Sequence, residues 1–238
     1  MAEAAEQQSE AALSAPLAKW PRLRRFLWDY GPKSLWMRLR PLDQNLNPER
    51  YAIFLRALAQ RRDDPGAILE VGCFRGKTAA DAFRSLKDWG AERRYVCIDT
   101  FSGFVPDQFD EDRELGTEAS FSTQFSFNTR RSVERMFRRL GYDEIEVVEG
   151  DIVELPDSSL PEEISVCLMD VDLAIPIHEG LKKIYPRMVA GGVILVDDCE
   201  EQGQTEWAGA RVGYKRFVEE AGLPERYDGG FGVIEAPA

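Results

Sequence analysis

Two pairs of aspartates close two apolar runs in the second half of the chain, Met169-Asp170-Val171-Asp172 and Leu195-Val196-Asp197-Asp198. Each run has the character of a buried parallel strand, and neighbouring strands lie about 5 Å apart. The spacing therefore predicts three or four carboxylates converging at one edge of a sheet, where open α/β sheets bind their ligands. Bare carboxylates repel unless protons or a cation intervene. An all-oxygen set that leaves room for water and substrate suits Mg²⁺ better than Zn²⁺. A pair of helix N-caps with solvated acids is the competing interpretation of the same residues.

A second stretch with chemical content is Ala67 to Thr78, AILEVGCFRGKT. It predicts a strand, a tight turn at Gly72 and Gly76, and a helix. A dinucleotide fingerprint needs GxGxxG, and a phosphate-cradling P-loop needs one more residue between Gly72 and Gly76-Lys77-Thr78. Glu70 also sets a negative charge against a triphosphate. An acid beside a glycine turn suits a ligand that carries both an ammonium and a carboxylate, such as the amino-acid end of S-adenosylmethionine; a structural strand-to-helix turn is the alternative. Asp99, ending Tyr95-Val96-Cys97-Ile98, is placed to accept from ribose hydroxyls, or to cap a turn. Asp151 follows a third strand and is similarly placed for an adenine amino group. His178, the only histidine, starts a helix near the same edge and is expected to be a surface or capping residue rather than a base.

The elements that must hold these residues alternate. Strands are predicted at Ile68–Val71, Tyr95–Ile98, Glu144–Val148, Val166–Met169 and Val193–Val196, with helices around 76–88, 128–140, 174–188 and 207–221. Strands alternating with helices of this length mean a parallel sheet with helices on both faces. Asp228-Gly229-Gly230 between short apolar pieces marks a hairpin at one edge. The expected fold is a three-layer α/β sandwich with a seven-stranded, mostly parallel sheet. Residues 100–127 form a long polar, Phe-rich loop, a length that usually carries function.

Residues 1–18 are predicted to be a disordered tail and 19–65 an N-terminal helical cap, with the catalytic-type domain at 66–238. The cap contains a basic aromatic segment, Trp20 to Arg40, and a helix from Pro48 to Arg61 with Asn47 as N-cap and Tyr51, Phe54, Leu55 and Leu58 on one face. A net charge of −12 argues against a general nucleic-acid binder. Cys73, Cys97, Cys167 and Cys199 sit in or beside apolar runs without CxxC spacing, which predicts reduced core thiols and a cytoplasmic protein. No apolar run approaches the length of a membrane span. Aromatic residues near the N-terminus suit a homo-oligomer interface.

ILEVGCFRGKT, IDTFSGF (Ile98 to Phe104), LMDVDL, IYPRMVAGGVILVDDC (Ile184 to Cys199) and GARVGYKRFVEEAGL together resemble the macrocin O-methyltransferase family over roughly residues 67 to 222. Members are class I, Rossmann-like methyltransferases that use S-adenosylmethionine and Mg²⁺ to methylate sugar hydroxyls of natural products. The resemblance implies that Glu70, Gly72 and Gly76 carry the methionine end of the cofactor, Asp99 and Ser102 its ribose, and Asp151 its adenine region. It implies a metal on Asp170, Asp197 and Asp198. Beside such a metal, Asp170 or Asp172 is expected to take the proton of a small-molecule hydroxyl as general base. After DVDL the family often has an aromatic residue followed by an acid, where this chain has Ala174-Ile175. A metal-independent small-molecule methyltransferase and a non-enzymatic binding module with a vestigial cofactor site are the competing functions.

Overall fold

The computed structural model describes residues 46–126, 128–200 and 207–237. The tail over 1–18 and the basic aromatic segment Trp20–Arg40 lie outside the described residues. The strands are β1 (Ala67–Val71), β2 (Tyr95–Asp99), β3 (Ile145–Glu149), β4 (Ile164–Met169), β5 (Met188–Val196), β6 (Tyr227–Asp228) and β7 (Phe231–Glu235). The helices are α1 (Pro48–Gln60), α2 (Lys77–Asp88), α3 (Pro106–Glu114), α4 (Arg130–Leu140), α5 (Ala174–Ile184) and α6 (Ala208–Glu220).

The strands form a seven-stranded sheet in the order β3-β2-β1-β4-β5-β7-β6. The first five run parallel, and β7 closes the sheet antiparallel to both β5 and β6. The chain winds outward from β1 in one direction and from β4 in the other. Their boundary is thus the switch point at which such sheets open a crevice.

Period-two alternation divides the core in two. Ile68, Cys97, Val166, Leu168 and Leu195 face α1, α2 and α4, where they meet Phe54, Leu58, Phe83 and Phe137. Leu69, Val71, Val96, Met169, Ile194 and Val196 face α5 and α6, where they meet Ile177, Leu181, Tyr214 and Phe217. Helices on both faces of the sheet make the three layers.

Local chemistry sets the helix ends. The side chain of Asn47 accepts from the Arg50 amide at 2.9 Å, with Pro48 in the first turn where its missing N–H costs nothing. Thr129 and Ser132 form a capping box at the start of α4. A short 3₁₀ turn, Tyr185–Arg187, follows α5, so that helix stops four residues before its expected end and β5 begins at once. Pro186 explains the stop, since its ring cannot enter an α-helical interior.

Two expectations are corrected. The stretch expected as a loop over 100–127 contains α3 and a 3₁₀ turn, Ala119–Thr123. Its sequence PDQFDEDRE buries only Gln108, Phe109 and Asp112, too little apolar surface to show a helical period. On α1 the buried face is Arg50, Ile53, Phe54, Ala57 and Leu58, with Tyr51 and Leu55 only half-buried. The Gly229-Gly230 hairpin forms as expected. No helix among the described residues is long and apolar enough to cross a membrane.

Candidate active site at the carboxyl edge of the sheet

A cleft of about 640 Å³ opens over the carboxyl ends of β1 to β5. Gly72, Asp99, Asp151, Asp170, Asp172, Asp197 and Asp198 all line it. At its centre β1 and β4 run side by side, and the Asp170 amide donates to the Val71 carbonyl at 2.8 Å. Gly72 sits there at φ +92°, where a Cβ would lie 1.7 Å from the Asp170 carbonyl oxygen. Only glycine permits this approach.

On one side of Gly72 are the residues expected to hold a nucleoside. Asp99 accepts from the backbone amides of Phe74 and Phe101, each at 2.7 Å, so it fastens the glycine turn to the loop after β2. Burial pushes its pKa up to about 6 even though these amides favour the carboxylate. With the Asn128 side chain as a third donor, one lone-pair position of the carboxylate is left for a ligand hydroxyl. Asp151 accepts from the Val153 amide at 3.0 Å and from Gln108 Nε2 at 2.6 Å, which brings α3 to the rim.

Three expected residues lie away from the cleft wall. Glu70 is buried beneath the turn, accepting from Tyr95 Oη at 2.5 Å and from the Ala79 amide, and burial pushes its pKa up to about 8. It pins the first turn of α2 from below. Gly76 caps α2 in a left-handed conformation beside Phe137 and Val133 of α4. Ser102 is exposed on the loop after β2. His178, expected at the surface or as a cap, is instead buried between α5 and α6 and away from the cleft lining, with Nδ1 2.9 Å from a Glu179 oxygen and Nε2 2.8 Å from a Glu220 oxygen.

On the other side of Gly72 the four aspartates gather. One oxygen each from Asp170, Asp172 and Asp198 lies within 4.8 Å of the others. Asp197 turns toward α1, where its Oδ1 stands 2.9 Å from Arg50 Nη1 without the alignment of a hydrogen bond. Burial and then mutual repulsion raise the proton affinities of Asp170, Asp172 and Asp197 well above the usual carboxylate range. Asp172 and Asp198 also sit at φ +63° and +55°, a region that costs about 1 kcal/mol or more for a residue with a Cβ. An oxygen-only donor set of this kind fits a hard divalent cation such as Mg²⁺.

Sequence reasoning missed several lining residues. Arg50 reaches the acids from α1, donating to Asp198 Oδ1 at 2.8 Å and pairing with Glu200. Burial opposes its charge, but Asp197 and Asp198 more than offset this and raise its pKa above the ordinary arginine value. An arginine in register with the apolar stripe of α1 was the available signal, because a buried guanidinium needs acidic partners. Phe74, Phe104, Phe125 and Trp207 form an aromatic wall. The Trp207 ring centroid lies 5.4 Å from that of Phe104 and 6.0 Å from that of Phe125, drawing the Phe-rich segment over the site.

A family model described as Macrocin-O-methyltransferase (TylF) matches residues 54–225, which include every strand from β1 to β5 and all seven acids lining the cleft. The chain belongs to the macrocin-O-methyltransferase family. It is 29% identical over 147 residues to mycinamicin III 3''-O-methyltransferase from Micromonospora griseorubida, a match spanning 59% of this chain and 58% of that relative. Its fold resembles that of the O-methyltransferase NovP, with a TM-score of 0.67 and 17% identity over 80% of both chains. It also resembles the calicheamicin methyltransferase CalS11, with a TM-score of 0.64 and 20% identity over 93% of both chains. These likenesses establish the class I methyltransferase fold expected from the sequence, and the family model bears out the resemblance.

Proposed function

We propose that this member of the macrocin-O-methyltransferase family transfers a methyl group from S-adenosylmethionine to a hydroxyl of a small molecule, a sugar of a natural product or glycoside. The observation that carries the proposal is the joining of two sets of acids in one cleft, Asp99 and Asp151 on one side of Gly72 and the four aspartates on the other.

S-adenosylmethionine supplies a methyl group already activated by its sulfonium. The protein has to align acceptor, carbon and sulfur and to remove the hydroxyl proton. Gly72 and the turn after β1 would take the methionine end, Asp99 the ribose and Asp151 the adenine region. Glu70 and Gly76 would act from beneath by shaping that turn. Asp170, Asp197 and Asp198 would hold Mg²⁺, which supplies Lewis acidity toward the acceptor hydroxyl. Asp172, buried against Asp198 and Asp197, is poised by their charges to take the proton, with Asp170 the neighbour able to share it. The aromatic wall would present ring faces to the sugar while keeping water from the reacting atoms.

Calorimetric titration with S-adenosylhomocysteine, on wild type and Asp99→Ala, tests the cofactor assignment. Micromolar binding that the variant loses is expected, followed by Mg²⁺-dependent methylation in a screen of hydroxylated glycosides. No binding by the wild type would overturn the proposal, and methylation that survives a chelator would remove Mg²⁺ from it.

A further inference from the structure

Arg50 is the only cationic side chain among the described residues lining the cleft, against six aspartates and Glu200. It is an unusual position for an arginine. The guanidinium is buried, its Nη1 lies 2.8 Å from Asp198 Oδ1 and 2.9 Å from Asp197 Oδ1, and its Nη2 pairs with Glu200. Space for it is made by the β6–β7 turn, where a Cβ on Gly230 would lie 2.7 Å from Arg50 Nε. Arg50 therefore joins α1 to the end of β5 by passing under the hairpin.

Asp198 takes part in both groupings. One of its oxygens belongs to the group formed with Asp170 and Asp172, and Asp198 Oδ1 also receives Arg50. A divalent ion held by Asp170, Asp197 and Asp198 would share two of its acids with the guanidinium, and like charges at that range repel strongly in a water-poor site. We propose that Arg50 is a resident cation of the carboxylate cluster and competes with the divalent ion for Asp197 and Asp198. This rests on the Mg²⁺ assignment above and goes beyond it. Competition is reciprocal, so an ion that displaces Arg50 also loosens the hold of α1 on β5.

The test is calorimetric titration of the full chain with Mn²⁺ at pH 8, without S-adenosylmethionine, on wild type, Arg50→Met, Arg50→Lys and Arg56→Gln. Arg56 is an exposed arginine of the same helix and pairs with Asp228 away from the cluster. Arg50→Met is expected to bind Mn²⁺ at least about tenfold more tightly than wild type, and Arg50→Lys and Arg56→Gln within about threefold of it. Tight binding by Arg50→Met alone supports the proposal equally. Unchanged or weaker binding by Arg50→Met beside a wild type that binds would overturn it while leaving the metal site standing. Absence of binding in both removes the metal site and the competition together. Hydrogen exchange of α1 in the wild type gives a readout that needs no variant. Faster exchange on adding Mn²⁺ is expected, and slower or unchanged exchange counts against Arg50 as a competitor.

Discussion

The carboxylate of Asp112 accepts a hydrogen bond from the backbone amide of Ala174 at 2.8 Å. This bond ties α3 to the first turn of α5, two residues after Asp172. Asp112 is buried, its second oxygen has no hydrogen-bond partner, and burial pushes its pKa up to about 6. Truncation would leave a helix-terminal amide unsatisfied in the interior. Asp112→Ala is expected to lose roughly 1–3 kcal/mol in urea denaturation. Asp112→Asn keeps an acceptor for the amide and should lose less at pH 8. An alanine variant as stable as wild type would show that the contact contributes nothing.

Glu70 gives a pH dependence whose sign is set by its burial. Its folded pKa of about 8 lies above its ordinary value, so the folded state holds a proton that the unfolded chain releases. The stabilisation is complete below the ordinary carboxylate range and is lost as pH rises toward 8. Glu70→Gln, which keeps a hydrogen-bonding amide beside Tyr95, should flatten the decline in stability between pH 5 and 8 by roughly 3–5 kcal/mol. Asp99, Asp170, Asp172 and Asp197 contribute with the same sign, so the measured quantity is the difference in slope between variant and wild type. Parallel slopes would mean that Glu70 is ionised when folded.

The parts of the fold and site that could be read from sequence are those with a short-range pattern. The strands of the parallel sheet appear as apolar runs, and their carboxyl ends place Asp99, Asp151 and the two aspartate pairs on one edge. Alternation within β1 also contained the position of Glu70. It shares a face with Ile68, which packs toward α2, so it lies beneath the turn. The α3 helix was hidden because its exposed side is almost wholly charged and its buried side short. Arg50 and Gln108 reach the site through long-range contacts, to Asp198 and Asp151 respectively, that no local period encodes.

The junction of β1 and β4 depends on one missing side chain. A Cβ on Gly72 would lie 1.7 Å from the Asp170 carbonyl oxygen, at a φ that side chains rarely adopt. Gly72→Ala must therefore push β4 away from β1 beneath the acids. A loss of about 3 kcal/mol or more in chemical denaturation is expected, together with loss of S-adenosylhomocysteine binding. Retained binding at normal stability would mean that the turn can relax without cost.

Asp172 separates stability from chemistry. It is buried among carboxylates that raise its proton affinity, at a positive φ that asparagine tolerates at least as well as aspartate. At pH 8 its charge is a burden on the fold, so Asp172→Asn should gain roughly 1–2 kcal/mol in urea denaturation without added metal. The amide cannot accept the acceptor's proton, and transfer should fall by roughly 10²–10⁴. S-adenosylhomocysteine affinity should hold, because Asp172 lies on the far side of Gly72 from Asp99 and Asp151. A base and a mere helix cap differ in both measurements here. A cap converted to asparagine would leave stability near wild type and transfer intact, and that pair of results would move the proton to Asp170.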